Sequence, residues 1–189
     1  MPPLLTATAV VLASTVAAWT AWRVARGDFR AGQHLPLDLC NLSALLSLGY
    51  VASGSPLLAT WMVCFALPGG IVSILTPDLD ERHDRITRLK YWIVHPGLVV
   101  FGTAAALTVP PAGGMAMLPR LWLLLIAYAA VIGIVNHRLG ANYLFLRHKP
   151  RTASLLDWYG PWPVYVFPLT ATVVATMMLV FLGWSHLWR

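Results

Sequence analysis

The residues best suited to chemistry stand at the start of an apolar stretch, His34-Leu-Pro-Leu-Asp-Leu-Cys-Asn-Leu-Ser43. Written as a helix, Cys40, Ser43 and Ser47 share one stripe, and Asp38 and Asn41 share its neighbour. Pro36 suits a first helical turn, where its missing N–H costs nothing. That reading puts Cys40 about one turn inside a helix, near the dipole end that favours an anion, whether a carboxylate or a thiolate. A polar helix start packed against its neighbours is the plain alternative. A second candidate is His95, in His95-Pro-Gly97, on a stripe with Tyr91 and Gly102. An imidazole at the depth of a thiol can act as its base. A histidine hydrogen-bonded between helices reads equally well.

Two further stretches carry polar groups on the same side. Asp78, in Thr76-Pro77-Asp78-Leu79, reads as a turn, as an orienting group for His95 or as a headgroup contact. The stretch from Asn142 to Pro163 holds Arg147, Lys149 and Arg151, which suit a lipid phosphate. It also holds Trp158, Tyr159 and Trp162, which suit a membrane interface. Ser154 and Asp157 have capping-box spacing. Cys40 and Cys64 form no C-x-x-C pair, and no residue spacing suggests a metal or a cofactor.

The elements that position these groups follow from composition. The chain has 189 residues, 58% hydrophobic and 11% charged, with a mean hydropathy of +0.69. A soluble domain carries about a quarter charged residues, so a soluble fold and a disordered chain are excluded. The formal charge of +6 then reflects charge sorting across a bilayer rather than nucleic-acid binding. We expect an all-α, polytopic membrane bundle forming one domain over residues 1–189. Its six spans are expected near 3–22, 35–53, 57–76, 91–109, 121–137 and 163–184. No basic residue precedes the first segment, so it reads as a retained span rather than a signal peptide. The loops 23–34, 77–90 and 138–162 hold eleven of the thirteen Lys and Arg residues. By the positive-inside rule that face is cytoplasmic, and both termini are on the non-cytoplasmic side. The expected location is the cytoplasmic membrane, with any reaction at its cytoplasmic face.

Taken together, these motifs resemble those of a known family. His34–Ser43, Leu75-Thr-Pro-Asp-Leu79, His95-Pro-Gly97, Asn142–Pro150 and Ala153-Ser-Leu-Leu-Asp-Trp-Tyr-Gly-Pro-Trp-Pro163 are similar to those of bacterial YwaF-like integral membrane proteins. Those proteins are grouped with the animal transmembrane protein 164 family. The resemblance runs from about residue 34 to 165. It implies a multi-spanning helical protein, and for animal members acyl transfer between phospholipids with a cysteine nucleophile and a histidine. The cysteine matches Cys40, and the histidine matches His95. The bacterial pattern usually has His where this chain has Asp38.

The resulting expectation is a phospholipid acyltransferase or thioesterase-like enzyme acting on phospholipid or lysophospholipid. Cys40 is its nucleophile and His95 its base. Asn142, Ser43 or backbone N–H groups serve as oxyanion donors, with Asp38 and Asp78 in support. Arg147, Lys149 and Arg151 hold the headgroup. Two readings without catalysis stand beside it: a small-molecule transporter or its substrate-binding subunit, and a scaffold.

Overall fold

The computed structural model describes residues 2–81 and 83–189. Arg82, one of the basic residues counted above, lies outside the described residues. Within them the chain is helical and has no strand. The helices are α1 (Pro3–Ala25), α2 (Ala31–His34), α3 (Leu39–Ser53), α4 (Pro56–Trp61), α5 (Leu67–Leu75), α6 (Arg85–Thr108), α7 (Met117–Leu139) and α8 (Val166–Leu187). Helix α4 runs through a π-helical turn, Met62–Ala66, into α5, so 56–75 is one rod. Five rods are long and apolar enough to cross a bilayer: α1, α4–α5, α6, α7 with its leading turn, and α8.

The sixth expected span is shorter than the sequence suggested. Helix α3 has 15 residues, about 22 Å at 1.5 Å per residue, against about 30 Å of hydrocarbon. Residues 35–38, expected to be helical, are not. Leu35 and Asp38 are extended, with ψ of 142° and 148°, so Pro36 does not sit in the first turn of α3. Side chains from elsewhere take the backbone groups a helix would need. The Leu35 N–H donates to the Tyr143 hydroxyl at 3.0 Å, and the Tyr128 hydroxyl donates to the Leu37 carbonyl at 2.7 Å. Helix α3 packs into the bundle's core, and its Tyr50 meets Phe101 edge-on, past the middle of α6.

The π turn has a local cause. Pro68 has no N–H, and its ring would strike the carbonyl four residues back, at Cys64, in a regular helix. The widened turn takes up that misfit and turns Met62, Val63, Cys64 and Phe65 into the core. Glycines let α6 approach this rod. A Cβ on Gly102 would lie 2.6 Å from Leu67 Cβ and 2.9 Å from the Met62 carbonyl oxygen. One on Gly70 would lie 2.9 Å from the His95 carbonyl oxygen.

Helix α1 packs against both α3 and α6, burying Leu5, Leu12 and Val16 with Leu98 and Phe101. Helices α7 and α8 close the core with Leu121 and Phe181 but present Leu123, Val131, Ile134, Phe167 and Leu179 outward. A soluble protein does not carry apolar faces of that extent, whereas lipid solvates them. A second, smaller apolar cluster joins Ile132, Ala141 and Tyr143 to Leu35 and Leu37.

Contacts between helix ends fix the up-and-down order. Arg23, near the end of α1, reaches Asp84 and Thr87 at the start of α6. Thr152 donates to Asp78, just past α5, at 2.9 Å. The stretches 23–34, 77–81 and 140–162, together with His83 and Asp84, therefore gather at one end. At the other, the Trp184 and Trp188 indoles of α8 donate to the carbonyls of Val109 and Ala106 at 2.9 and 3.0 Å.

Candidate functional site

Cys40 is the second residue of α3, at the polar end of the bundle. Its Sγ lies 3.9 Å from the Ser73 hydroxyl of α5. The Leu39, Cys40 and Asn41 N–H groups precede the helix's first closed turn, which the Leu42 N–H makes to the Asp38 carbonyl at 2.9 Å. Asp38 does not cap its own helix. Its Oδ1 accepts the Leu144 N–H at 3.2 Å. Burial pushes this carboxyl above the ordinary carboxylate range, and the Leu144 N–H pulls the other way.

That contact ties Cys40 to an unusual turn. Leu144 and Phe145 both have left-handed backbone, with φ of 58° and 52°. Such residues cost about 1–3 kcal/mol each and persist only where surroundings hold them. Here Asn136 holds both backbone groups of Tyr143, accepting its N–H at 2.8 Å and donating to its carbonyl at 2.9 Å. The Tyr165 hydroxyl donates to the Phe145 carbonyl, and the Trp162 indole donates to that of Leu146 at 2.9 Å. The Tyr143 hydroxyl in turn donates to the Ala31 carbonyl at 2.7 Å while receiving the Leu35 N–H. The loop thus grips the segment that leads into Cys40.

His95 is buried on α6, and its Nδ1 lies 2.9 Å from the Tyr91 carbonyl oxygen. A carbonyl only accepts, so this bond assigns the proton to Nδ1 and leaves Nε2 as the basic nitrogen. No hydrogen bond joins Cys40 to His95 among the described residues. The His95 backbone faces Gly70, three residues before Ser73, which sets it roughly 4.5 Å deeper than the thiol's neighbour. Tyr91 links the two levels. Its hydroxyl donates to the Ser73 carbonyl at 2.7 Å, and its ring centroid lies 3.9 Å from that of His95.

The remaining expected residues are placed as follows. Ser43 is fully buried and accepts the Trp61 indole N–H at 2.9 Å. Asn142 is spent on its own loop: its Oδ1 accepts the N–H groups of Arg147 and His148, and its Nδ2 donates to the His148 carbonyl at 2.8 Å. Neither amide nor hydroxyl is aimed at Cys40. Asp78 holds Thr152. Lys149 lies 3.8 Å from Asp157 and beside the Tyr165 ring, whereas Arg147 and Arg151 are exposed. Asp157 also accepts the Ser154 N–H at 2.8 Å, as their spacing suggested.

Sequence reasoning passed over two members of the cluster. Ser73 stands in an otherwise apolar run, and only the packing of α3 on α5 makes it the thiol's neighbour. Lys90 was counted only as a loop charge. It lies on α6, its Nζ 4.2 Å from the Trp19 ring centroid and within electrostatic reach of both Asp38 and Cys40. A lysine at the point where the charged start of α6, with Arg85 and Arg88, gives way to its apolar run was the available signal.

Beside the cluster lies a clamp that fixes the helix ends. Arg23 pairs with Asp28 at 2.9 Å and with Asp84, and it also donates to the Thr87 hydroxyl at 2.8 Å. The Trp19 indole joins at the same hydroxyl, 3.1 Å away. Asp84 caps α6 by accepting the Thr87 N–H at 2.8 Å. Burial alone would push the Asp84 carboxyl up, but the Thr87 donors and Arg23 outweigh it and hold it below the ordinary range. Among the described residues no group of three His, Cys, Asp or Glu side chains is placed to hold a metal ion.

No solved structure matches the chain. An uncharacterized protein of Treponema pallidum (strain Nichols) is 27% identical over 151 residues, covering 78% of this chain and 61% of that protein. The TMEM164 family model matches residues 3–181, all but the two ends of the sequence. Five membrane-length apolar helices and a match over nearly the whole chain lead to one conclusion: this is a multi-pass helical membrane protein that belongs to the TMEM164 family.

Proposed function

We propose that this chain is a membrane-embedded enzyme that transfers acyl groups on phospholipids through Cys40. The observation that carries the reading is the placement of Cys40. It is a thiol at the first turn of a helix, beside a hydroxyl, at the polar end of a lipid-facing bundle. Ester carbonyls of a phospholipid lie at that level of a bilayer.

In this reading Cys40 attacks the carbonyl carbon, and His95 Nε2 takes up the thiol proton. The C–O bond breaks, the leaving lysolipid oxygen receives that proton, and a thioester remains on Cys40. A second lysolipid hydroxyl, or water, attacks the thioester, and the thiol is restored. The negative oxygen of each tetrahedral intermediate meets the Leu39, Cys40 and Asn41 N–H groups, with the helix dipole behind them. These N–H groups take the part that Asn142 and Ser43 are too occupied to play. Tyr91 packs against the imidazole and bonds to the Ser73 backbone, so its ring is the group to move if thiol and imidazole are to meet. Arg147 and Arg151, exposed on the loop, draw anionic lipid to this face.

The charge pattern supports a cytoplasmic-membrane location with the polar end in the cytoplasm and both termini outside. The transporter reading gains less support. Its usual signature is a broken helix with polar groups at the midplane. Here the π turn interrupts a span, but its side chains are buried and apolar.

The test is intact-mass analysis of the purified protein after incubation with phospholipid, wild type beside Cys40→Ala. A hydroxylamine-labile acyl adduct on the wild type alone is the expected result. A wild type with neither adduct nor lipid turnover overturns the proposal.

A further inference from the structure

A groove of about 330 Å3 runs along the outside of the bundle between α1 and α6. Its walls include Trp19, Trp22, Ile86, Leu89, Ile93 and Lys90. Ile86 and Leu89 are exposed, so it opens toward lipid. All of its wall is apolar or aromatic except at Thr15 and at Lys90. Its volume falls at the small end of ligand-binding clefts.

Lys90 sets this groove apart from an ordinary lipid-facing seam. Arg23 on α1 and Arg26 just after it have Asp28 as a carboxylate partner at 2.9 and 3.7 Å, and Arg23 has Asp84 as well. Among the described residues, no carboxylate oxygen lies within 4 Å of Lys90 Nζ. Its ammonium rests instead on the face of Trp19. An intramembrane cation without a paired carboxylate is costly, and such residues pair with another group or reach the interface. The Trp19 and Trp22 rings and the start of α6 place Lys90 at interface depth, about 7.5 Å from the helix end.

We propose that this groove binds one acyl chain of an anionic phospholipid, with Lys90 holding the phosphate at its upper end. The apolar wall takes the chain, and the phosphate gives Lys90 a directly paired anion, which Asp38, acting on it only from a distance, does not. Lys90 also lies within electrostatic reach of Cys40, which is the link between this groove and the thiol. The role of this lipid as acyl donor rests on the reading above, but its binding does not require Cys40.

Native mass spectrometry of the purified full-length protein, titrated with phosphatidylglycerol or phosphatidylcholine of matched chains, tests the site. The wild type should prefer the anionic lipid by about five- to tenfold in Kd. Lys90→Met should erase that preference, and Lys90→Arg should keep it, which separates lost charge from lost folding. Ala18→Phe, which fills the groove, should weaken both lipids. Equal binding of the two lipids by wild type, or an unchanged preference in Lys90→Met, overturns the proposal. The two readings fail separately. A Lys90-dependent preference in a wild type that never acylates Cys40 defeats acyl transfer and leaves the groove. An acylated wild type whose Lys90→Met variant keeps the preference does the reverse.

Discussion

At one end of the bundle, the connecting stretches are held by side chains from distant elements. Arg23 joins α1 to α6, Thr152 joins the long loop to the end of α5, and Tyr143 and Tyr128 take the backbone of residues 31–37. At the opposite end, a Gly-Ser turn and the Pro/Gly run after α6 connect the helices. There, tertiary hydrogen bonding rests on the two indoles of α8. The difference teaches where positional accuracy is needed. Side chains and loops hold the end that carries Cys40 in place, including a turn with two left-handed residues that Tyr165 and Trp162 brace from the approach to α8. The other end is left to helix packing.

The two cysteines give the sharpest way to probe that contrast. Cys40→Ala should lower acyl turnover by at least about a thousandfold, the scale of losing a nucleophile. Cys64, buried in the π turn away from the polar end, should be replaceable by Ala with turnover within about twofold of wild type. Equal losses from both variants would show that the thiol's position does not matter.

Next in size is Tyr143→Phe, which strips a buried hydroxyl that makes two hydrogen bonds and leaves the Leu35 N–H and Ala31 carbonyl unpaired. Thermal unfolding should report a loss of about 1–3 kcal/mol. The alkylation rate of Cys40 should also change, because the segment before it is released. Trp184→Phe, at the opposite end, removes one indole hydrogen bond. It should cost about 1 kcal/mol and leave Cys40 alkylation as it was. A change in Cys40 reactivity from Trp184→Phe would erase the distinction between the ends.

The smallest effect concerns pH. The folded Asp84 carboxyl lies below its ordinary value of 3.8. Its contribution is therefore complete above that value and is lost as the pH falls through the lower folded one. The difference in thermal midpoint between wild type and Asp84→Asn should be constant near neutrality and shrink below about pH 4. A difference that persists in acid would mean that the effect of the substitution does not come from the charge of the carboxylate.

Much of this was legible in the residues. Runs of apolar side chains dictate membrane-length helices wherever they occur, because an unpaired backbone is too costly in lipid. The clustering of Lys and Arg in alternate loops marked one end as distinct, and the motifs around Cys40, His95 and Ala153–Pro163 already carried the family resemblance. These are properties of short stretches, so a linear reading captures them. The rest depended on which stretches meet. Residues 35–38 read as helix but are extended, since Tyr128 and Tyr143, about a hundred residues away, compete for their backbone groups. Cys40 meets Ser73 and makes no hydrogen bond to His95, because the packing of α5 against α6 sets the His95 backbone beside Gly70, deeper than Ser73, and its ring is bonded to the Tyr91 carbonyl. Asn142 looked like a free amide and is consumed by its own loop. Lys90 looked like one loop charge among many, and only the seating of α1 against α6 puts it under Trp19 and beside a groove. Local sequence determined which segments enter the membrane and which end is polar. The tertiary structure alone decided which polar groups touch, because that depends on the depth and rotation at which separate helices pack.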